Sequence, residues 1–261
     1  MSSRPAAIAA CLATADFARA QTARRPQKLR LSPRVSLWAV VVASCLGRSG
    51  MAQFSLMDSG RNLQPHNVTV DRTTYRGRKA VRVMSMPNAD ATYDPQKSGT
   101  GGGIVVIEGS SFHDGTIEVD VAGKPQSNAP ALARGFVGIA FRVPSDASRY
   151  DYVYIRPTNG RADDQERRNH STQYASYPDN EWLKLRTESP GKYESYVDLV
   201  PGEWTHLKIE VNGVRMRLYV NGASQPTLIV NDLKLGDTRG AIALWIGVGT
   251  EAYFSNLRIS P

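Results

Sequence analysis

The feature that most constrains the fold is a strict two-residue alternation of apolar and polar side chains. It recurs in short runs separated by turn residues over the C-terminal half of the chain. From Trp204 to Val211 the apolar positions are Leu207, Ile209 and Val211. Asn212-Gly213 follows, a pair that tolerates the positive φ of a two-residue hairpin turn. Val214, Met216, Leu218 and Val220 then repeat the period up to a second Asn-Gly pair at Asn221. Gly240 to Val248 sets Ile242, Leu244 and Ile246 against Ala241, Ala243 and Trp245, and Ala252 to Ile259 closes the chain. A period of two is that of strands with one face in a core.

The same pattern extends upstream. Ile117, Val119 and Val121 oppose Thr116, Glu118 and Asp120; Val137, Ile139, Phe141 and Val143 oppose Gly138, Ala140 and Arg142; Asp151, Val153 and Ile155 oppose Tyr150, Tyr152, Tyr154 and Arg156. No amphipathic helix is expected after residue 52. Evenly spaced strands punctuated by Gly, Pro and Asn predict an all-β chain, a two-sheet antiparallel jelly-roll sandwich. The longest irregular stretch, Pro157 to Asn180, reads as a long loop, and such loops in compact domains commonly carry function.

Charge separates the chain into two parts. The formal net charge of +8 suggests a nucleic-acid partner until the charge is located. Residues 1–52 hold eight basic groups and one acid, Asp16, whereas the remainder holds 24 basic and 23 acidic groups. A near-neutral domain exerts no general pull on a phosphate backbone, so no nucleic-acid partner is expected. The basic segment precedes an apolar run from Val35 to Leu46 and small residues ending at Ala52, the order of a secretory leader. That run is too short to span a bilayer as a helix, which takes about 20 residues. The reading is a leader over 1–52 and a domain over 53–261, secreted or periplasmic, with no membrane span in the mature form. A second reading takes Val42 to Cys45 as a lipobox, which would place a lipid anchor on Cys45 and the protein on an outer surface. Both cysteines, Cys11 and Cys45, lie in the leader, so no disulfide or thiolate chemistry is expected in the domain.

Six segments carry a family resemblance. Phe112 to Val121, Gly135 to Arg142 and Tyr152 to Pro157 resemble the central strands of concanavalin-like and laminin-G-like domains, and Glu203 to Gly222 resembles their Trp-initiated hairpin. Gly240 to Trp245 and Tyr253 to Ile259 resemble their closing strands, an ending shared with the 3-keto-disaccharide hydrolase domains of exported bacterial proteins. The resemblance implies a concanavalin-like fold that hosts lectins, adhesion modules and hydrolases alike.

Candidate chemistry follows from residue types. Arg142, Tyr152, Tyr154, Arg156 and Trp245, with Arg161 from the long loop, would form a sugar-binding face: aromatic rings stack on sugar C–H faces and guanidinium forks bind hydroxyl or carboxylate oxygens. The bland alternative is that these aromatics merely cover the sheet beneath the loop. Glu118 and Asp120 share one strand face, and a carboxylate pair is what glycoside hydrolysis uses. The family 16 glycosidases similar to this fold carry Glu-x-Asp-x-Glu, but the third position here is Ala122, and a solvated, ion-paired face is the simpler reading. The loop cluster of Arg161, Asp163, Asp164, Glu166, Arg167, Arg168 and His170 reads first as a surface charge network; His170 is its candidate acid or base. His113 and His206 stand without ligand-spaced partners, so no metal is expected, and structural calcium is allowed only by the resemblance. No cofactor is implied. The expected function is carbohydrate binding on the concave sheet face; the alternatives are a glycoside-cleaving hydrolase or lyase, acting on 3-keto-disaccharides as the resemblance implies, or a protein-binding adhesion module.

Overall fold

The computed structural model describes residues 52–53, 56–57, 62–86 and 102–261. The expected leader, with Cys11 and the lipobox-like Cys45, lies outside the described residues except for Ala52.

Fifteen strands are described: β1 (Ala52–Gln53), β2 (Leu63–His66), β3 (Val68–Tyr75), β4 (Arg78–Ser85), β5 (Gly103–Ile107), β6 (Gly115–Pro125), β7 (Val137–Val143), β8 (Tyr150–Ile155), β9 (Thr172–Tyr177), β10 (Glu194–Ser195), β11 (Thr205–Asn212), β12 (Arg215–Val220), β13 (Leu228–Val230), β14 (Ala241–Ile246) and β15 (Thr250–Ser260). They build two antiparallel sheets. The first runs β13-β12-β11-β6-β15-β4-β3, with β1 also paired to β15; the second runs β10-β9-β8-β7-β14-β5-β2. The chain is an all-β, concanavalin-like jelly-roll sandwich. Among the described residues no helix is long and apolar enough to cross a membrane.

The core is the meeting of the alternating faces. Ile117, Val119, Val121, Leu207, Ile209, Val211, Met216 and Leu218 from the first sheet join Val137, Ile139, Phe141, Val153, Ile155, Ile242 and Leu244 from the second, all buried. One expected member is absent: Val214 is 42% exposed, because the Asn212-Gly213 turn extends through it and β12 starts at Arg215.

Two expectations are corrected. The stretch Pro157 to Asn180 is not a structureless loop: it holds a 3-10 turn (Pro157–Asn159), a short helix α1 (Gln165–Asn169) and all of β9. β9 escaped the two-residue pattern because Thr172, Gln173 and Ser176 are buried beside Tyr174 and Ala175, so polar and apolar residues lie on both sides. A second helix, α2 (Trp182–Glu188), follows. Both helices are too short to display a helical period. Asp164 caps α1, its carboxylate accepting from the Arg167 backbone N–H.

Arg142 is the other correction. It lies at a bulge where the β7–β14 register shifts, and its φ is +57°. Its side chain does not join the tyrosine face. It is fully buried and donates to the carbonyl oxygens of His113 (2.9 Å), Gly236 (2.8 Å) and Gly213 (2.9 Å), and to Asp114 Oδ1 (3.0 Å). The residue fastens three loops at one end of the sandwich.

Candidate functional site

The outer face of the second sheet is organised by register. Trp245 on β14 lies opposite Gly138 on β7, Gly138 opposite Tyr154 on β8, Tyr154 opposite Gln173 on β9, and Gln173 opposite Glu194 on β10. One row of residues therefore crosses five strands. Gly138 leaves space within it, since an added Cβ would lie 2.6 Å from that of Tyr154. The Trp245 and Tyr154 rings meet there at 4.6 Å, and Tyr152 stands 4.8 Å from Trp245 and 5.6 Å from Tyr154. Tyr152, Tyr154, Arg156 and Trp245 thus share the face expected of them.

They are not an open platform. Tyr152 and Tyr154 are fully buried and Trp245 is 2% exposed. The segment carrying α2 crosses the face: Tyr152 Oη donates to Glu181 Oε2 at 2.6 Å, and the Trp182 ring lies 5.7 Å from the Arg156 guanidinium. The aromatic row is a floor beneath this cover, and two hollows open beside it. Consecutive residues separate them, Glu181 lining one and Trp182 the other. The first hollow, about 330 Å³, is bordered by His66, Asp146, Tyr150, Tyr177 and Trp245.

The second hollow, about 190 Å³, has the richer chemistry. Phe136, Trp182 and Leu132 form its apolar walls, and Arg134, Arg156, Arg186 and His170 its polar ones. Arg156 is positioned by three bonds, to the His170 carbonyl (2.9 Å), Tyr154 Oη (2.9 Å) and Gln173 Oε1 (3.1 Å). Arg186 lies over Trp182 (4.7 Å) and forks onto Glu194 through Nε (3.1 Å) and Nη2 (2.7 Å). The side chain of Glu194 is 3% exposed, and His170 Nδ1 stands 2.8 Å from its Oε2 without hydrogen-bond alignment. Burial pushes the His170 imidazole below its usual pKa; Glu194 pulls it back up, while Arg186 and Arg156 push it further down.

The remaining candidates lie elsewhere. Glu118 and Asp120 project from the outer face of the first sheet, with the core between them and the hollow. Asp120 meets Arg78 (2.7 Å), His206 Nδ1 (2.9 Å) and the Asn256 amide (2.6 Å). Glu118 stands in register with Lys208 and Arg258. Neither shares a site with His170. Arg161 is held at the surface by a two-bond fork to Asp198 (2.7 and 2.8 Å) and does not line the hollow. The histidines are not isolated as expected: besides the His206–Asp120 contact, His113 Nε2 stands 2.6 Å from Asp237. His113, Asp114 and Asp237 could gather around a cation, but Arg142 Nη2 already lies 3.0 Å from Asp114 and 3.5 Å from Asp237.

The sequence reading missed Arg134, Trp182, Arg186 and Glu194. The available signal was the Trp182/Arg186 spacing of four, which places both on one helical face.

Residues 58–260 match the model of the 3-keto-alpha-glucoside-1,2-lyase-like domain. The chain belongs to that family. No curated protein matches it. Among solved structures it is similar to the carbohydrate-binding module CBM66 from Bacillus subtilis (16% identity, 76% of this chain and 98% of that one, TM-score 0.47). It is also similar to a Bacillus subtilis protein of unknown function with a galectin-like fold (10%, 81% and 98%, TM-score 0.46) and to a galectin from Caenorhabditis elegans (15%, 59% and 88%, TM-score 0.35).

Proposed function

We propose that the protein is exported and binds a carbohydrate in the hollow between Trp182, Phe136, Arg134, Arg156, Arg186 and His170. The carrying observation is that aromatic walls and planar guanidinium forks converge on one cavity above the outer sheet face. A sugar presents C–H faces and hydroxyls together, and this lining offers a partner for each. The hollow is small for a drug-sized ligand and suits a single sugar unit, with the neighbouring hollow placed to take the next.

Trp182→Ala tests the reading. It removes an apolar wall while leaving the fold's core untouched, and should weaken affinity for a glycan selected on an array about tenfold or more, comparable to losing a hot-spot aromatic. Calorimetric titration with the selected oligosaccharide checks it; unchanged affinity, with an unchanged melting temperature, would overturn the placement.

A second reading is favoured by the family match together with His170. Elimination across C1–C2 of a 3-keto sugar requires a base for the C2 proton, donors for the enolate oxygen at C3, and a proton for the oxygen leaving C1. A depressed pKa keeps His170 neutral and able to accept the C2 proton at pH 7; the imidazolium then returns that proton to the oxygen leaving C1 as the C1–O bond breaks and the C1=C2 bond forms, and the guanidiniums are suited to the enolate. Incubation with 3-keto-glucosides should then release the aglycone, and His170→Ala should abolish release; no release from any member of such a panel would remove this reading and leave binding.

A further inference from the structure

The charge around the hollow is unbalanced. Arg134, Arg156 and Arg186 line it, and Arg167 is near enough to depress the Arg134 pKa. Among the described residues, the carboxylates in ion-pair contact with this lining are Glu194 and Glu166. Glu194 is already committed to Arg186, with His170 at 2.8 Å and Arg156 at 3.8 Å. Glu166 is 87% exposed and 3.9 Å from His170.

Arg134 is the informative member. Its hydrogen bonds are to the carbonyls of Ala131 (2.6 Å) and Ala133 (3.1 Å), both through Nη1, and it has no carboxylate partner among the described residues. Burial and the neighbouring Arg167 and Arg156 push its pKa down, the mark of a cation held among cations. Nε and Nη2 are left over, a fork that fits two oxygens of one anionic group. A neutral sugar would leave that charge uncompensated.

We infer that the sugar bound here carries an acidic group, a carboxylate or a sulfate, placed against Arg134 beside Arg156. The inference rests on the carbohydrate reading above and adds the ligand's charge. Trp182 and Phe136 hold the ring; Arg134 holds the anion.

The experiment is calorimetric titration of the full chain with a neutral oligoglucoside, the matched oligoglucuronate, the matched sulfated oligosaccharide and sodium sulfate alone. The acidic sugar should bind about tenfold or more tightly than the neutral one, as expected for a charge-assisted fork, with the preference shrinking as salt is raised. The uronate and sulfated arms identify the group. Arg134→Gln should erase the preference by lowering affinity for the acidic sugar about tenfold or more and for the neutral sugar far less, and Arg134→Lys should restore part of the preference; circular dichroism verifies that both variants fold. Equal affinity for neutral and acidic sugars overturns the acidic group and leaves the sugar site standing. Failure of every sugar overturns both. Sodium sulfate binding as tightly as the sulfated sugar overturns the inference in favour of a bare anion site.

Discussion

Replacing Arg142 with alanine should destabilise the domain by about 2–4 kcal/mol, the range for breaking a buried hydrogen-bond network. For a domain of this size that lowers the melting temperature by roughly 5–15 °C. The side chain is fully buried and each donor has a specific acceptor: Nε the His113 carbonyl, Nη1 that of Gly236, Nη2 that of Gly213 together with Asp114. His113 precedes β6, Gly213 is the β11–β12 turn and Gly236 precedes β14, so one guanidinium ties the hairpin of the first sheet to the end of the second. Alanine leaves these carbonyls without their donor and opens a cavity. Asp114 and Asp237 are partly exposed and would hydrate, which keeps the cost below that of an orphaned buried charge. Arg142→Lys should recover only part of the loss, because one ammonium cannot reproduce a fork spanning three loops. Thermal melts of the three proteins decide it. A melting temperature within 2 °C of wild type for the alanine variant would show that the cage is incidental. Glycan affinity below the melting transition should be unaffected, since no donor of Arg142 reaches the hollow.

Arg142 also shows where sequence reading stops. Alternation along β7 correctly put Ile139 and Phe141 in the core and Gly138 and Ala140 on the outer face. It could not see the bulge that turns Arg142 away, because a bulge is a shift of register against β14, a non-local partner. The sheet architecture was legible because the inner faces obey a strict period; the tyrosine row was legible because β8 keeps that period from Tyr150 to Arg156. What was not legible is the cover over that row. Trp182, Arg186 and Glu194 are brought together by a helix of under two turns and a two-residue strand, elements too short to have periodicity. The acid pair Glu118 and Asp120 was misleading for a complementary reason: a common strand face is necessary for joint chemistry, but here Asp120 is held by Arg78 and the His206 ring and Glu118 stands in register with Lys208 and Arg258.

Glu194→Gln should move stability and His170 together. Glutamine keeps the shape but removes the one buried carboxylate facing Arg186, Arg156 and His170, and a loss of about 3 kcal/mol follows from leaving the cations without it. The effect on His170 has a definite sign. In the wild type the folded imidazole titrates below its unfolded value of roughly 6.5, because burial, Arg186 and Arg156 together outweigh the pull of Glu194 and Glu166. The unfolded chain therefore takes up the proton first as pH falls, so the stability this residue costs grows below about pH 6.5 and levels off at its full value once the folded imidazole also protonates. Removing Glu194 deletes the largest contribution raising the His170 pKa. The folded value drops further and the stability lost on acidification grows. An NMR titration of the His170 ring protons in both proteins, with melts at pH 7 and pH 5, measures the two quantities independently. Acidic-sugar affinity should move oppositely to stability, since the variant's hollow keeps all its guanidiniums and loses an anion. A variant less stable than wild type, yet with an unchanged His170 titration and unchanged preference for acidic over neutral sugar, would mean that Glu194 supports the fold alone and that the charge of the hollow is set without it.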